Sequence, residues 1–331
     1  MKMKIVLVGL FVVASNFAIA QEALPSWNEG KNRTNVMEYV KSVTDKNSTD
    51  FIPMKDRIAV FDNDGTLWSE QPVYFQLFFA MDRVKALASE HPEWKTEEPF
   101  KSVLSGDIKA VMASGKEGLA KLIMTTHTGM TDEEFDAIVI DWIKTAKHPT
   151  KKVHYSELVF QPMLELLDYM RANGFKTFIV SGGSLDFMRP WASEVYGIPS
   201  NQIVGSKIEV KYENKKIMRM PKVRFIDDKA GKPVGIHYHI GKRPVAAFGN
   251  SDGDFAMMEY TEANAKYKTL QLYVHHTDEK REWAYDRKSH IGSLNKGLDY
   301  GNEHNWTMVD MKKDWKVVYP FELNNTKEGS K

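Results

Sequence analysis

Three times along this chain a short apolar run stops at a loop of Asp, Ser, Asn and Gly. Arg57–Phe61 leads into Asp62-Asn63-Asp64-Gly65, and Phe175–Val180 into Ser181-Gly182-Gly183. Pro244–Phe248 leads into Gly249-Asn250-Ser251-Asp252-Gly253-Asp254. Runs of this length and β-branched content predict buried strands, and Thr269–Val274 reads as another. Helical patterns fill the intervals. Strands alternating with helices predict an α/β fold, a doubly wound (Rossmann-like) parallel sheet. Ligands of such sheets bind beyond the carboxyl ends of the strands, so the three loops should share one edge.

The first twenty residues read as a leader. Lys2 and Lys4 precede an apolar stretch from Ile5 to Ala14, and Ala18-Ile19-Ala20 is an A-x-A cleavage signal. The apolar run falls short of the ~20 residues a membrane span needs. Cleavage after Ala20 is expected, giving a periplasmic or secreted protein with no membrane attachment afterwards. It removes two of the 45 basic residues, against 44 acidic, and turns the net charge of +1 slightly negative. That balance gives no footprint for nucleic acid. No cysteine is present, which excludes disulfides, thiolate metal sites and a cysteine nucleophile.

Residues 21–54 read as an N-terminal arm with a helix around Asn35–Val43. Residues 55–70 and 156–331 form the core domain, and 71–155 a helical domain between them. In the latter, a helix is expected over Val73–Leu87, and Thr131 with Glu134 forms a capping box before a further helix. A helix around Gln161–Ala172 ends at Asn173-Gly174. Residues Ile203–Ile226 read as a β-hairpin turning at Glu213-Asn214-Lys215. Trp306 and Trp315 in the tail should pack on the core.

Two carboxylates at Asp62 and Asp64, two residues apart after a strand, can face one pocket. Such anions repel unless a cation lies between them or one takes a proton. A hard divalent cation meets the first need, and a division into nucleophile and proton donor uses the second. A solvated Asx-rich turn would give the same residues. The Ser181 hydroxyl and Gly182 amide are natural donors to a phosphate oxygen, although a Ser-Gly turn has the same composition. The loop from Gly249 to Asp254 adds oxygen ligands.

In that order the segments resemble the haloacid dehalogenase superfamily of hydrolases. Asp62, Asp64, Gly65, Thr66 and Leu67 match its D-x-D-G-T-L motif, Ser181-Gly182-Gly183 its second motif, and Gly249 and Asp254 its fourth. The hairpin looks like the phosphoserine-phosphatase branch, in a secreted acid-phosphatase-type member. The long interval from Asp62 to Ser181 fits an inserted type-1 cap. The resemblance implies Mg2+ and a small-molecule phosphomonoester substrate. It implies Asp62 as nucleophile, Asp64 as acid and base, and Ser181 and Gly182 as phosphate ligands. Metal ligands would be Asp62, the Asp64 carbonyl, Asn250 and Asp254. Lys232 best matches the third-motif lysine, with Lys229 and Lys242 as alternatives.

Asn250 departs from the motif, which has aspartate there. An amide oxygen can coordinate magnesium without contributing charge, and Asp252 or Asp254 could take its place. Asp64 favours a phosphatase over a dehalogenase, because an alkoxide leaving group needs a proton and a halide does not. A non-catalytic phospho-ligand binder would need no such donor. Export suggests broad specificity toward external phosphomonoesters. Tyr74, Phe75, Phe78 and Phe79 either pack between cap and core or line the substrate pocket, where stacking on a quaternary amine would suit phosphocholine. His237, His239 and His275-His276 read as ordinary polar packing or surface.

Overall fold

The computed structural model describes residues 23–323, so the leader and its cleavage site lie outside the described residues. Among the described residues seven strands run β1 (Ile58–Phe61), β2 (Lys176–Ser184), β3 (Ile203–Glu213), β4 (Lys216–Phe225), β5 (Ala246–Gly249), β6 (Leu270–His275) and β7 (Thr307–Asp310). They form one sheet in the order β4-β3-β2-β1-β5-β6-β7. Every pairing is parallel except β3 with β4. The hairpin joining those two turns at Asn214 and Lys215, both at positive φ (49° and 65°), as a tight two-residue hairpin turn requires.

Burial on both faces explains why the central strands read as unbroken apolar runs. Along β1, Ala59 and Phe61 enter the larger core, while Ile58 and Val60 enter a second one on the opposite face. Phe61 stacks on Phe248 of β5, ring centroids 4.2 Å apart.

Helix α1 (Lys31–Thr44) precedes the sheet. Between β1 and β2 come α2 (Phe75–Leu87), α3 (Phe100–Ser105), α4 (Ile108–Ala113), α5 (Gly115–His127), α6 (Asp132–Thr145) and α7 (Gln161–Ala172). The rest are α8 (Leu185–Tyr196), α9 (Gly231–His239), α10 (Phe255–Glu262), α11 (Lys296–Glu303) and α12 (Met311–Asp314). Thr131 and Glu134 make a reciprocal capping box at the start of α6. Trp306 and Trp315 are buried.

Two local expectations shift. The helix expected from Val73 starts at Phe75, because Tyr74 is its extended N-cap. Ser181-Gly182-Gly183, read as a loop, continues β2. There Ser184 pairs with Ser206 of β3 across an irregularity in register, a long-range pairing that local composition cannot reveal.

The β3–β4 hairpin reaches back to the helical insertion. Arg219 of β4 exchanges backbone hydrogen bonds with the loop before α6, at Gly129 and Met130. Its buried guanidinium donates to the His127 carbonyl and to Asp132 (both 2.8 Å), lies 2.8 Å from Asp186, and covers the Phe135 ring at 3.9 Å.

Candidate active site

The sheet brings the three loops to one edge. The Asp62 amide donates to the Phe248 carbonyl (2.9 Å), so the chain leaving β1 runs beside the end of β5. Across that edge lies Lys232, in the first turn of α9 and 2% exposed. Its ammonium donates to Asp62 Oδ1 (2.6 Å), Asp254 Oδ1 (2.7 Å) and the Val180 carbonyl (2.8 Å). All three protons of the group are thereby directed. Of the alternatives, Lys229 is exposed and Lys242 is bonded at the surface to Lys55 and Asp56.

Burial, then the charges of Asp254 and Asp64, push the Asp62 carboxyl well above the usual range against the pull of Lys232. Burial also opposes charge on Lys232, yet Asp254 and Asp62 hold it above the ordinary lysine value. Asp64 is pushed up to about 6 by burial, with Trp68 working against the shift by donating its indole N–H to Oδ1 (2.8 Å). A carboxyl in that range can hold a proton near neutrality and give it up on demand.

Ser181 is buried, and its hydroxyl accepts from the Gly183 amide (3.0 Å). The space above the Gly183 Cα, where a Cβ would stand, is ringed by Ser181 Oγ (3.4 Å), Gln76 Oε1 (3.4 Å) and Asp64 Oδ2 (3.5 Å). The second loop therefore faces the Asp64 carboxyl directly. Gly182 is exposed beside it.

Asp254 braces rather than projects. Its Oδ2 accepts the amides of Asn250 (3.0 Å) and Ser251 (3.1 Å), while Oδ1 belongs to Lys232. Asp252 turns away and accepts the amides of Asn295, Lys296 and Gly297 at the start of α11. That leaves Asn250 as the third loop's remaining oxygen donor.

Asn250 has a partner that sequence reasoning missed. Its amide Nδ2 donates to Glu70 Oε1 (2.7 Å), which also accepts from the Tyr285 hydroxyl (2.8 Å). Glu70 is 2% exposed, and burial followed by the Asp64 and Asp62 charges raises its pKa strongly. An aspartate at position 250 would set two carboxylates against each other. The amide instead donates to Glu70 and keeps Oδ1 as an acceptor, met by the Thr66 hydroxyl at 3.3 Å. Gly65, at φ +72°, is required here twice over: a Cβ would lie 2.0 Å from Asn250 Nδ2 and 2.5 Å from Glu70 Oε1. His276 closes the same side, with Nε2 on the Gly65 carbonyl (2.8 Å) and Nδ1 on Glu282 (3.0 Å).

The donor set fits a hard divalent cation. Asp62, Glu70 and Asp254 are buried and Asp64 half-buried, against the single ammonium of Lys232, and every candidate ligand is an oxygen. Asp62, the Asp64 carbonyl and Asn250 Oδ1 are the atoms that would hold such an ion, while Asp254, expected among the ligands, is engaged by Lys232 and two backbone amides.

The aromatic residues of α2 divide. Phe75 and Phe78 pack on Tyr155 and His148, and Phe79 on His127, Phe135 and Trp142, while Tyr74 alone is exposed. Buried His127 is held down to about 3, by burial first and then by the Arg219 and Arg83 charges. Its native pKa lies below the ordinary ~6.5. The stability it contributes is therefore complete above that pH and is lost as pH falls toward 3. Urea denaturation should show a loss of about 2 kcal/mol between pH 7 and pH 5 that His127→Gln removes. An unchanged pH slope in the variant would assign the acid sensitivity elsewhere.

The fold resembles several solved structures. A conserved protein of unknown function from Anaerococcus prevotii is 15% identical with a TM-score of 0.49, over 78% of this chain and 89% of that one. A haloacid-dehalogenase-family hydrolase from Salmonella enterica serovar Typhi is 12% identical (TM-score 0.41; 79% and 69% covered). A phosphoserine phosphohydrolase-like protein from Francisella tularensis is 15% identical (TM-score 0.38; 75% and 99% covered). No curated protein matches the sequence. The haloacid dehalogenase-like hydrolase family matches residues 59–259, which span β1 to α10 and hold all three loops together with Lys232. With most of its length inside that match, the chain belongs to the haloacid dehalogenase-like hydrolases.

Proposed function

We propose that this hydrolase is a magnesium-dependent phosphatase of small phosphomonoesters, working through an aspartyl-phosphate, with the helical insertion as its cap. The observation that carries the reading is the pairing of two unlike carboxyls. Asp62 is clamped by Lys232 through Oδ1, while Asp64 accepts the Trp68 indole N–H at Oδ1 and turns Oδ2 to the gap at Gly183, where it can pass a proton to a leaving group.

Asp62 Oδ2, which receives no hydrogen bond from the described residues, attacks phosphorus. The bond to the leaving oxygen breaks, and that oxygen takes the Asp64 proton. Water then attacks the acyl phosphate and gives its proton to Asp64, which frees inorganic phosphate and restores Asp62. The Ser181 hydroxyl, the Gly182 amide and Lys232 stabilise the equatorial oxygens. Bound at Asp62, the Asp64 carbonyl and Asn250, the cation would keep Asp62 ionised and offset the charge of the phosphoryl group. Glu70 fixes the Asn250 amide so that its oxygen serves as ligand, and Asp254 holds both Lys232 and the loop in place. We further propose that the protein is exported, on the leader-like residues 1–20.

Phosphate release from 4-nitrophenyl phosphate tests the reading. Turnover is expected with Mg2+, falling at least about tenfold in EDTA and returning when Mg2+ is restored. Absence of turnover with any divalent cation would overturn it.

A further inference from the structure

A cavity of about 210 Å3 opens between α5, the β3–β4 hairpin and the end of β2. Gly182 and Ser184 are among its lining residues, so it borders the end of β2 that carries Ser181. Gln76 joins the two spaces, since it borders both the cavity and the gap at Gly183 that Asp64 Oδ2 shares. A group leaving the phosphorus toward Asp64 has this cavity beside it.

Its walls are Ile123, Met124, Ile208, Val223, Phe225 and Ile226. The polar groups at its floor are already committed to one another. Gln76 Oε1 accepts the Ser184 amide (2.9 Å), and Gln76 Nε2 donates to His127 Nε2 (3.1 Å). His127 Nδ1 then donates to Thr126 Oγ1 (2.8 Å), and Thr126 donates to the Leu122 carbonyl (2.7 Å). A polar leaving group would find few free partners there, and burying it would cost its hydration. No carboxylate is among the residues lining the cavity, and Lys207 among them repels a cation; Asp228 lies outside the lining, beside Gly182, with Oδ1 3.7 Å from where a Gly182 Cβ would stand. Arg219 Nη2 in the wall has no hydrogen-bond partner, but Asp132 and Asp186 balance its charge, so it suits a neutral acceptor rather than an anion. The volume is below the roughly 300 Å3 at which pockets accept drug-sized ligands, which points to one ring or a short alkyl chain rather than a nucleoside.

We propose that the preferred substrates are phosphate monoesters of small apolar alcohols, with the leaving group seated in this cavity. The proposal rests on the phosphatase reading above. It turns away from phosphocholine, because the residues lining the cavity include Lys207 and no carboxylate to face a quaternary ammonium.

Steady-state kinetics on benzyl phosphate, O-phosphoethanolamine and acetyl phosphate, with Mg2+, separate the two readings. For the wild type, kcat/KM on benzyl phosphate should exceed that on O-phosphoethanolamine at least about tenfold. Ala120→Trp fills the mouth from an exposed position on α5 and should lower the benzyl-to-acetyl phosphate ratio of kcat/KM by a similar factor. Ile226→Glu, at a position 56% exposed, should shift preference from benzyl phosphate toward O-phosphoethanolamine. Hydrolysis of acetyl phosphate with equal kcat/KM on the other two esters, unaltered in both variants, would overturn the cavity assignment alone. Hydrolysis of none of the three would overturn the phosphatase reading and this proposal with it.

Discussion

Asp62→Asn is expected to reduce phosphate release at least ~10³-fold while leaving the protein folded. The amide is a poor nucleophile toward phosphorus, so the loss falls on kcat, and no phosphoenzyme should accumulate on rapid acid quenching. The substitution is nearly isosteric, and the amide oxygen it introduces can still accept from Lys232, which in the wild type sits 2.6 Å from Asp62 Oδ1. It also removes one of the buried like charges that raise the remaining carboxyls. Thermal stability in the absence of metal should therefore be unchanged or higher. A variant that kept wild-type turnover would refute covalent catalysis by Asp62. One that unfolded would refute the view that the carboxylates strain one another.

Lys232→Met gives the second large effect, in both activity and stability. The ammonium is the common partner of Asp62 and Asp254, and its side chain is 2% exposed. Its loss leaves buried carboxylates facing each other without a cation, a change that costs about 3–5 kcal/mol. Urea denaturation at neutral pH should show that loss. It should shrink at lower pH, where protonation removes the repulsion, and in the presence of Mg2+. Turnover should fall by about 10²-fold or more, because Asp62 loses the ammonium that holds Oδ1 and the phosphoryl group loses the adjacent positive charge. Lys229→Met, altering an exposed side chain outside this cluster, should leave stability within about 0.5 kcal/mol. Equal effects of the two substitutions would mean that the buried ammonium contributes nothing particular.

The sheet was legible because its central strands are buried on both faces, which writes them into the sequence as continuous apolar runs such as Ile58–Phe61. The hairpin was marked by Asn214 and Lys215, and the start of α6 by Thr131 and Glu134, signals confined to a few neighbouring residues. Lys232 was reachable through the family resemblance, as the best match to its third-motif lysine. Glu70 carried no such mark. It acquires meaning from Asn250 and Tyr285, 180 and 215 positions further along the chain. A buried carboxylate looks like any other glutamate until the residues that bury it are known. The same holds for Gln76, whose partners Ser184 and His127 come from β2's end and α5. Asp252, an alternative ligand by position, instead serves the backbone amides that begin α11.

The place of β1 in the sheet also bears on how the chain reaches its native state. It is the central strand, yet Ile58 pairs with Lys176 beyond the whole helical insertion, and Ala59 with Ala246 beyond the hairpin and α9. Helices α2–α5 pack on one another within the insertion, whereas β1 must wait for two distant strands, each pairing delayed by the entropy of closing a long loop. Asp62 is thus the first active-site residue in the chain, but its surroundings are among the last to form. A polypeptide cut short before β5 would carry Asp62 at the end of a strand with one edge unpaired, a site for aggregation.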